Sequence, residues 1–530
     1  MWYNKSTLRI AADKIGADKT DNSSLCLNIQ WETRSFDPML EDCIDLSLEY
    51  GHWYGGHINR DTLSFGSQII DHTSYLPGKT FGLMAERFWM STNGIALVAG
   101  HDFPLHIRVD AQRKLCLSSW YGYQTGKRKL SYSICRASNH QAVRALVLDR
   151  FYNANVEKYI QDTLFYNPLY SISSSFKQKK QELQKNNITY SYILDSSISY
   201  SMLADDTFTA PSNGCGVKLT PYAPLSDHLN LTSHGWLTST DMDIPRLFKL
   251  NNKPHLLLNS SVANLTTILD ATPKMNVLVF VTDLSIGDIG GQENYAISET
   301  VGTFQPYISN TLALISNSSF GPVMSTVVSA NQKSPIIVYL QPSNGDLSNI
   351  IQQVVHSSLM GYNIINAGEI TASSTTDHLI RTLQLAIFLP IIQLSNTARK
   401  HIDSNYQLGK AWNTYLDTRI ELGINEIIMQ YTAEGKNDYP LYAPIWWRDI
   451  TAKHFDVVDQ FLFNDRYLVI PIVNTSSTIR TFYLPPGHWL RVQIPVTKAY
   501  VGGRKLYVGD RTVEISIPVD QMLVFEHGEY

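Results

Sequence analysis

The sequence lacks the features that mark several large functional classes. Its 43 Lys and Arg are outnumbered by 47 Asp and Glu, which gives a formal net charge of −4, and no basic block stands out. Binding to nucleic acid therefore has no electrostatic basis. No apolar run reaches the length of a membrane span, and the N-terminus has no apolar signal-peptide core. No Cys and His spacing suggests zinc, so we expect no metal and no cofactor.

Cysteine is scarce, with five residues in 530. Cys26 and Cys43 flank one short segment, Cys116 and Cys135 flank another, and Cys215 is left over. Loops of about 17 and 19 residues suit two local disulfides, each of which would stabilise the fold by about 3 kcal/mol. The alternative is five unrelated buried thiols.

Potential N-glycosylation sites point in the same direction as the cysteines. The excess of Asn-x-Ser/Thr sequons over chance is modest, but paired cysteines and sequons together favour a chain that enters the secretory pathway. The eight sequons begin at Asn4, Asn22, Asn187, Asn230, Asn259, Asn264, Asn317 and Asn474.

The chain is long enough for two to four domains, and its pattern changes twice. Residues 20–138 contain short strands and frequent turns, including a strong hairpin signal at Asn93 and Gly94, and this predicts an N-terminal β-sandwich. Residues 139–435 alternate helical stretches with short apolar strands, which predicts a (β/α)8 TIM-like barrel. Residues 436–530 return to turn-punctuated strands and predict a C-terminal β-sandwich.

The barrel prediction rests on particular elements. The expected helices cover Phe176–Lys185, Leu347–Met360 and His378–Phe388, and the expected strands are Tyr190–Asp195, Gly216–Pro221, Val277–Asp283, Pro335–Leu340 and Gly361–Asn366. The Val277 strand is an unbroken apolar run, which suits a strand covered on both faces. Its carboxyl end would bring Thr282, Asp283, Ser285 and Asp288 to the active-site face of the barrel.

Four motifs near the C-terminus resemble glycoside hydrolase family 31. They lie where that family's barrel ends and its proximal C-terminal sandwich begins, and they read Tyr439–Trp447, Asp459–Phe463, Tyr467–Ile472 and Tyr483–Trp489. Other stretches are similar to the myogenesis-regulating glycosidase branch of the family, namely Leu40–Cys43, Gly51–Gly56, Glu86–Gly94, Met360–Tyr362 and Leu379–Ser395.

The resemblance covers nearly the whole chain and both cysteine pairs. It implies an extracellular or lumenal protein, commonly an ectodomain behind a single-pass membrane anchor that is outside the chain shown. It makes a homodimer plausible.

The resemblance also identifies where catalytic carboxylates should lie. A retaining glycosidase needs two carboxyl groups about 5–5.5 Å apart. The family's nucleophile is an Asp at the end of the fourth barrel strand, followed in this branch by a Glu three residues later. An ungapped alignment puts Thr282 at the nucleophile position, and a one-residue slip puts Asp283 there. Neither register supplies the Glu, since Ser285 and Ile286 occupy its place, and a threonine cannot replace the carboxylate without an activating base.

The remaining site positions depart from the family in several places. The acid/base position is Asn344 without a gap and Asp346 with a small gap, and an arginine usual on the preceding strand is missing. A substrate-binding Asp is replaced by Gly368, with Glu369 beside it. Asp195 and Arg381 match sugar-contacting residues, although the usual Trp beside the arginine is Thr382. The candidate substrate-binding residues are therefore Asp195, Glu369 and Arg381.

Each candidate also has a structural interpretation. Asp283 and Asp288 can be helix caps or turn residues, and Asp346 stands where the N-cap of the following helix is expected. Asp195 can simply end a strand, and Arg381 can be a structural ion-pair partner.

We therefore expect a family 31-like protein with a degenerate active site, which acts by binding a glycan or a partner protein. The alternative is an active retaining α-glycosidase, α-galactosidase-like, that hydrolyses O-glycosyl bonds with Asp283 as nucleophile and Asp346 as acid/base. A third possibility, a cytosolic structural protein, requires all four paired cysteines to be reduced.

Overall fold

The computed structural model describes the chain in a series of segments. These segments are residues 6–14, 24–33, 40–57, 64–65, 69–75, 81–82, 84–119, 128–152, 163–172, 176–195, 214–219, 222–225, 247–250, 253–257, 278–281, 322–326, 336–340, 346–372, 375–434, 439–448, 454–474, 477–494 and 505–528. Within them, no helix is both long enough and apolar enough to cross a membrane.

Two antiparallel sheets form the N-terminal part. The first has the strand order β1-β2-β11-β8-β7-β4-β5 and the second the order β3-β10-β9-β6. The strands are β1 (Ser6–Lys14), β2 (Leu25–Thr33), β3 (Leu40–Asp45), β4 (Trp53–His57), β5 (Ser64–Phe65), β6 (Ile70–Ser74), β7 (Ala85–Ser91), β8 (Ile95–Ala99), β9 (Leu105–Val109), β10 (Lys114–Ser119) and β11 (Arg128–Arg136). Because β1 pairs with β2 along its whole length, the first sheet begins before the predicted boundary at residue 20.

A shared apolar core lies between these two sheets. It takes Trp89, Leu97 and Leu130 from the first sheet and Ile107 and Leu117 from the second, all at most 1% exposed. The hairpin predicted at Asn93 and Gly94 connects β7 to β8.

The predicted disulfide pairing is wrong, although all four cysteines form disulfides. Cys26 bonds Cys135, and Cys43 bonds Cys116, across sequence separations of 109 and 73 residues. In each case the partners lie directly opposite each other on neighbouring antiparallel strands, β2 with β11 and β3 with β10. Spacing along the chain suggested local loops, but pairing is decided by which strands are neighbours. In the chain-entropy view the longer loops raise the stabilisation to about 4–5 kcal/mol each.

Eight parallel strands close into a barrel in the middle of the chain. Their order is the order of the chain, and pairing of the first strand with the last completes the ring. The strands are β12 (Leu169–Ile172), β13 (Ile193–Asp195), β14 (Cys215–Leu219), β18 (Leu278–Val281), β19 (Val323–Ser325), β20 (Ile336–Tyr339), β21 (Ile365–Ile370) and β22 (Ile391–Ser395). A three-stranded antiparallel sheet separates β14 from β18 in sequence, formed by β15 (Tyr222–Pro224), β16 (Leu247–Leu250) and β17 (Lys253–Leu257).

The Val277 strand is confirmed at its centre, because β18 spans Leu278–Val281 and pairs in parallel with β14 and β19. It is the fourth barrel strand in chain order, the position that the resemblance implies for it.

The helices form where amphipathic stretches begin at good capping residues. Side chains of Asp346, Thr375, Ser395 and Asn405 each accept a backbone N–H of the first turn of the helix that follows. In the described residues, helices follow β12, β20, β21 and β22. The helices are α1 (His140–Tyr152), α2 (Thr163–Tyr166), α3 (Phe176–Lys185), α4 (Leu347–Leu359), α5 (Thr376–Ala386), α6 (Asn396–Ser404), α7 (Tyr406–Glu421) and α8 (Ile424–Glu434).

The C-terminal part is again made of strands. A six-stranded sheet has the order β23-β24-β25-β30-β27-β28, and β26 pairs with β29. The strands are β23 (Tyr442–Ala443), β24 (Phe461–Phe463), β25 (Tyr467–Ile470), β26 (Ile479–Leu484), β27 (His488–Arg491), β28 (Leu506–Val508), β29 (Arg511–Ser516) and β30 (Leu523–Gly528).

The three parts meet where α4 ends, at residues 358–362, which we call the 358–362 junction. Arg144 of α1 donates hydrogen bonds to the carbonyls of Ser358 and Leu359, at 2.7 and 2.9 Å. The hydroxyl of Ser358 accepts the backbone N–H of Tyr442 in β23. The hydroxyl of Tyr362 donates to Oε1 of Glu86 in β7, at 2.6 Å. One helix end thus holds the N-terminal sheet, the barrel and the C-terminal sheet together.

Close backbone approach at this junction requires a glycine in β4. Gly55 has a φ of +107°, and a Cβ there would lie 2.5 Å from the carbonyl oxygen of Phe88 and 3.0 Å from Cε of Met360. A side chain would therefore force β4 away from β7 at Phe88, whereas the flexible end of Met360 can shift to make room.

We expect Tyr362→Phe to lower the free energy of unfolding of the protein by about 2 kcal/mol. Glu86 is fully buried, and the substitution removes the hydroxyl that donates a hydrogen bond to its carboxylate. Urea denaturation followed by intrinsic fluorescence measures this change. Tyr406→Phe is the control, since Tyr406 is 84% exposed and should leave the transition unmoved. Equal effects of the two substitutions would contradict the assigned role of Tyr362.

Candidate functional site

Polar residues stand at the carboxyl ends of five neighbouring barrel strands. Ser171, Asp195, Tyr339, Glu369 and Ser395 are the last or next-to-last residues of β12, β13, β20, β21 and β22. These strands are contiguous in the ring, in the order β20-β21-β22-β12-β13. In barrels of parallel strands this is the face that carries active sites.

A chain of hydrogen bonds runs through the barrel beneath this edge. Nδ2 of Asn366 donates to Oε1 of Gln393 at 2.7 Å, and Nε2 of Gln393 donates to Oγ of Ser171 at 2.6 Å. The carboxyl group of Glu369 also hydrogen-bonds Ser171. We call Asn366, Gln393, Ser171 and Glu369 the barrel network. Asn366 and Gln393 are 0% and 2% exposed, so their amides must find partners within the protein.

An irregularity in β21 positions Glu369. The pairing register between β21 and β22 shifts between Asn366 and Glu369, and Gly368 has a φ of +98°. The backbone N–H of Gly368 donates to Oδ1 of Asn366 at 3.0 Å, which ties the irregularity to the barrel network. Such a bulge changes the direction of the following side chain, here that of Glu369.

The surroundings of Glu369 favour its protonated form. Burial raises the pKa of its carboxyl group, and the hydrogen bond from Ser171 offsets part of that rise. The pKa of Tyr339 is raised as well, first by burial and then by the charge of Glu369. Glu369 can therefore hold a proton at a higher pH than an exposed glutamate, and it can accept or donate a hydrogen bond at the barrel mouth.

Arg419 of α7 fixes the entry to β22 and with it the position of Gln393. Its guanidinium is buried and donates to backbone carbonyls on two elements and to Oδ1 of Asn425. The carbonyls are that of Phe165 in α2 and those of Ile387, Leu389 and Pro390, just before β22. Burial lowers the pKa of Arg419 to about 10, so it stays charged at neutral pH. A buried guanidinium with all of these acceptors holds the β22 end of the barrel in one register.

Asp346 lies at the start of α4, where the sequence predicted a helix N-cap. It is exposed, it immediately precedes α4, and its Oδ1 accepts the backbone N–H of Ser348 at 2.9 Å. It is thus the N-cap of α4, on the carboxyl side of β20. Its role as an acid/base stays a prediction.

The candidate positions at the end of the fourth strand, Thr282, Asp283, Ser285 and Asp288, lie outside the described residues, and so does Asn344, the alternative acid/base position. Asp195 is described through its backbone, as the last residue of β13, in register with Ile172 and Val217 of the neighbouring strands.

Arg381 lies in α5, in contact with the C-terminal part. It is 1% exposed, and its Nη atoms donate to Oε1 of Gln384 and to the carbonyls of Gln521 and Pro518. This position fits the structural interpretation, with carbonyls in place of the expected carboxylate partner. A ligand could reach Arg381 only by displacing these contacts, so we leave it out of the proposed binding surface.

Two sequon asparagines fall in the described residues. Asn187 follows α3 and is exposed with Thr189, and Asn474 is exposed as well. Asn4, Asn22, Asn230, Asn259, Asn264 and Asn317 lie outside the described residues. Glycosylation of the sequons stays a prediction.

Comparison with known sequences supports the resemblance drawn from the motifs. Residues 438–529 match the glycosyl hydrolase family 31 C-terminal domain. The chain is 22% identical to a SITS-binding protein of Tetronarce californica over 95% of this chain and 78% of that one. It is 19% identical to the myogenesis-regulating glycosidase of Mus musculus over 88% of this chain and 74% of that one.

Solved structures agree on the fold. A cycloalternan-forming enzyme from Listeria monocytogenes, solved with a pentasaccharide substrate, matches with a TM-score of 0.70 at 14% identity over 96% of this chain. A family 31 dextranase from Flavobacterium johnsoniae matches with a TM-score of 0.72 at 9% identity over 98% of this chain and 73% of that one. This chain therefore has the fold of family 31 glycoside hydrolases. It spans about half, 55%, of the length of the Listeria enzyme.

The family 31 resemblance led to Asp195, Glu369 and Asp346, but it did not identify the rest of the barrel network. Ser171, Asn366 and Gln393 were not predicted as site residues. The signal for two of them is present in the sequence, since Asn366 and Gln393 are single amides inside apolar strands. A buried amide in such a strand needs a partner, and the ring of strands supplies it from a neighbour.

We expect Glu369→Gln to stabilise the protein at neutral pH, by an amount that decreases as the pH falls and vanishes below the ordinary glutamate pKa. Because the folded-state pKa is raised, the stability that Glu369 contributes is complete below its unfolded-state pKa, and it is lost as the pH rises through the folded-state pKa. Melting temperatures measured across acidic and neutral pH test this.

The matched control is Glu421→Gln, on the exposed end of α7. It should give no pH-dependent difference from the unsubstituted chain. If the melting temperature of Glu369→Gln differs from that of the unsubstituted chain by the same amount at every pH, Glu369 is not held in a disfavoured charged form.

Proposed function

We propose that this chain is a family 31-like protein that binds a glycan at the carboxyl face of its barrel and hydrolyses it little or not at all. The observation that carries the proposal is the composition of the barrel network. Among the residues that the structure describes, this network joins one carboxyl group, Glu369, to three neutral side chains, which hydrogen-bond one another. Two opposed carboxylates are what retaining hydrolysis needs.

Neutral amides and a hydroxyl suit binding better than they suit this chemistry. Asn366 and Gln393 can orient each other and Ser171, but neither amide can attack an anomeric carbon as a carboxylate does. A half-buried carboxyl group at the rim, by contrast, is a good acceptor for sugar hydroxyls. We assign Glu369 and Asp195 as the residues that would contact the sugar.

The relatives make a glycan a reasonable ligand. One relative is named as a glycosidase, and the Listeria enzyme of the same fold holds a pentasaccharide. A partner protein at the same face is the other candidate ligand, and a homodimer remains part of the proposal.

We also infer the setting in which the chain acts. Two disulfides suit an oxidising compartment, so we propose an extracellular or lumenal protein, with a membrane anchor outside the chain shown. We keep the division into an N-terminal sandwich at 20–138, extended to include β1, a complete (β/α)8 barrel at 139–435 and a C-terminal sandwich at 436–530.

We expect the protein to release no 4-nitrophenol from 4-nitrophenyl α-galactoside or α-glucoside, while methyl α-glycosides raise its melting temperature. Asp195→Asn should weaken that thermal shift, because it removes a charged acceptor for sugar hydroxyls. The measurements are absorbance over long incubations and thermal shift across ligand concentrations. Absence of any shift with every sugar, together with no hydrolysis, would favour the protein ligand instead.

The alternative, an active retaining α-glycosidase, draws support from the exposure of Asp346, which leaves its carboxyl group accessible beside β20. Two substitutions at Asp346 separate its role as the N-cap of α4 from a role as acid/base. Asp346→Asn keeps an N-cap and removes the carboxyl group, whereas Asp346→Ala removes both and costs about 1 kcal/mol of stability. Hydrolysis that is abolished by Asp346→Asn and by Asp283→Ala would establish the alternative and overturn our proposal.

A further inference from the structure

The two disulfides lie in different surroundings. Cys26 and Cys135 are both 0% exposed and belong to the core on which α1 packs. Cys43 is exposed, while its partner Cys116 is 0% exposed. The side chains of Leu115 and Leu117 point into the core between the N-terminal sheets, so Cys116, which alternates with them, faces away from it. The Cys43–Cys116 bond therefore lies on the outer face of the four-stranded sheet.

A guanidinium covers the buried sulfur of this exposed disulfide. Cys43, Cys116 and Arg108 stand opposite one another on β3, β10 and β9. Nη2 of Arg108 lies 3.1 Å from Sγ of Cys116 but 3.8 Å from Sγ of Cys43. The positive charge is therefore nearer to one sulfur than to the other.

A carboxylate lies beside the other sulfur. Oε1 of Glu41 is 3.8 Å from Sγ of Cys43 and 3.3 Å from Nη2 of Arg108. Asp110 is a more distant partner of Arg108, at 3.9 Å. Oxygen and sulfur atoms of Glu41, Cys43 and Cys116 lie within 4.8 Å of one another, as in a small metal site. Since both sulfurs are joined in a disulfide, they offer no thiolate ligand, and the cluster calls for another explanation.

We propose that Cys43–Cys116 is a thiol-exchange site, at which a small thiol of the glutathione class attacks Cys43 and Cys116 leaves as a thiolate paired with Arg108. Exchange is fastest where the attacked sulfur is accessible and the leaving thiolate is stabilised. Cys43 supplies the access, and Arg108 supplies the stabilising charge at Cys116. Glu41 opposes both steps, because it repels an incoming thiolate and neutralises part of the charge of Arg108.

The exchange proceeds in two balanced steps. The glutathione thiolate forms a bond to Sγ of Cys43, the Cys43–Cys116 bond breaks, and its electron pair remains on Cys116. A second glutathione thiolate attacks the glutathione sulfur of the mixed disulfide, which releases the Cys43 thiolate and oxidised glutathione. Two electrons pass to the two cysteines, and each thiolate can then take up a proton.

The site has a structural consequence further along the chain. Among the described strands, β3 lies at the edge of its sheet and pairs with β10, and the disulfide attaches it there covalently. A short connection with one 3-10 turn, Leu48–Tyr50, leads from β3 to β4, where Gly55 lies close to the side chain of Met360 in the 358–362 junction. Exchange at Cys43 would thus loosen an edge that continues into the junction.

The experiment treats the oxidised full chain with reduced glutathione, quenches samples by alkylation and maps the peptides by mass spectrometry. We expect a glutathione adduct on Cys43 with Cys116 alkylated, while Cys26–Cys135 stays intact. Arg108→Gln should slow the loss of Cys43–Cys116 roughly fivefold, and Glu41→Gln should accelerate it by a similar factor. Arg108→Lys keeps the charge and should react at close to the original rate.

Opposite effects of the two neutralising substitutions are the decisive readout, since a purely packing role would move both rates in the same direction. An intact Cys26–Cys135 bond in each sample shows that the variant is folded. If Arg108→Gln fails that check, the Glu41→Gln rate and the site of the adduct decide alone. An adduct mainly on Cys116, equal reduction of both disulfides, or a slower Glu41→Gln variant would overturn the proposal.

Discussion

The 358–362 junction is the contact on which the arrangement of the three parts depends. A single helix end presents two carbonyls to Arg144, a hydroxyl to the backbone of Tyr442 and a phenol to the carboxylate of Glu86. Arg144 and Glu86 are both 0% exposed, so water cannot replace any partner that is lost. Burial makes these polar contacts specific, because an arrangement that left one of these groups unpaired would be penalised.

The barrel network orders the described part of the barrel mouth mainly with neutral side chains. Amides and a hydroxyl hydrogen-bond across β21, β22 and β12, and a bulge brings a single carboxyl group to the rim. Burial of one carboxyl group is tolerated because it can retain its proton, whereas two opposed carboxylates would need to share one. The barrel network thus places one carboxyl group at the rim on a frame of neutral hydrogen-bonded side chains.

Elements formed by nearby residues were predicted from the sequence, whereas contacts between strands far apart in the chain were not. Helix α3 and the hairpin between β7 and β8 follow from nearby residues, and both were predicted from the sequence. The disulfide partners were not, because the strands that carry them, β11 beside β2 and β10 beside β3, bring together cysteines 109 and 73 residues apart in the chain. Gln393 was overlooked for the same reason, since its partners lie on two other strands. The role of Asp283 remains a prediction, because that residue lies outside the described segments.

The nesting of the two disulfides affects how the N-terminal sheets would respond to proteolysis. The Cys43–Cys116 pair lies, in sequence, inside the segment closed by Cys26 and Cys135. A single backbone cleavage between residues 44 and 115 would leave two fragments joined by both bonds, and a cleavage between 27 and 42 or 117 and 134 would leave them joined by one. Proteases could therefore nick this region without separating its strands, and the damage would become visible only after reduction.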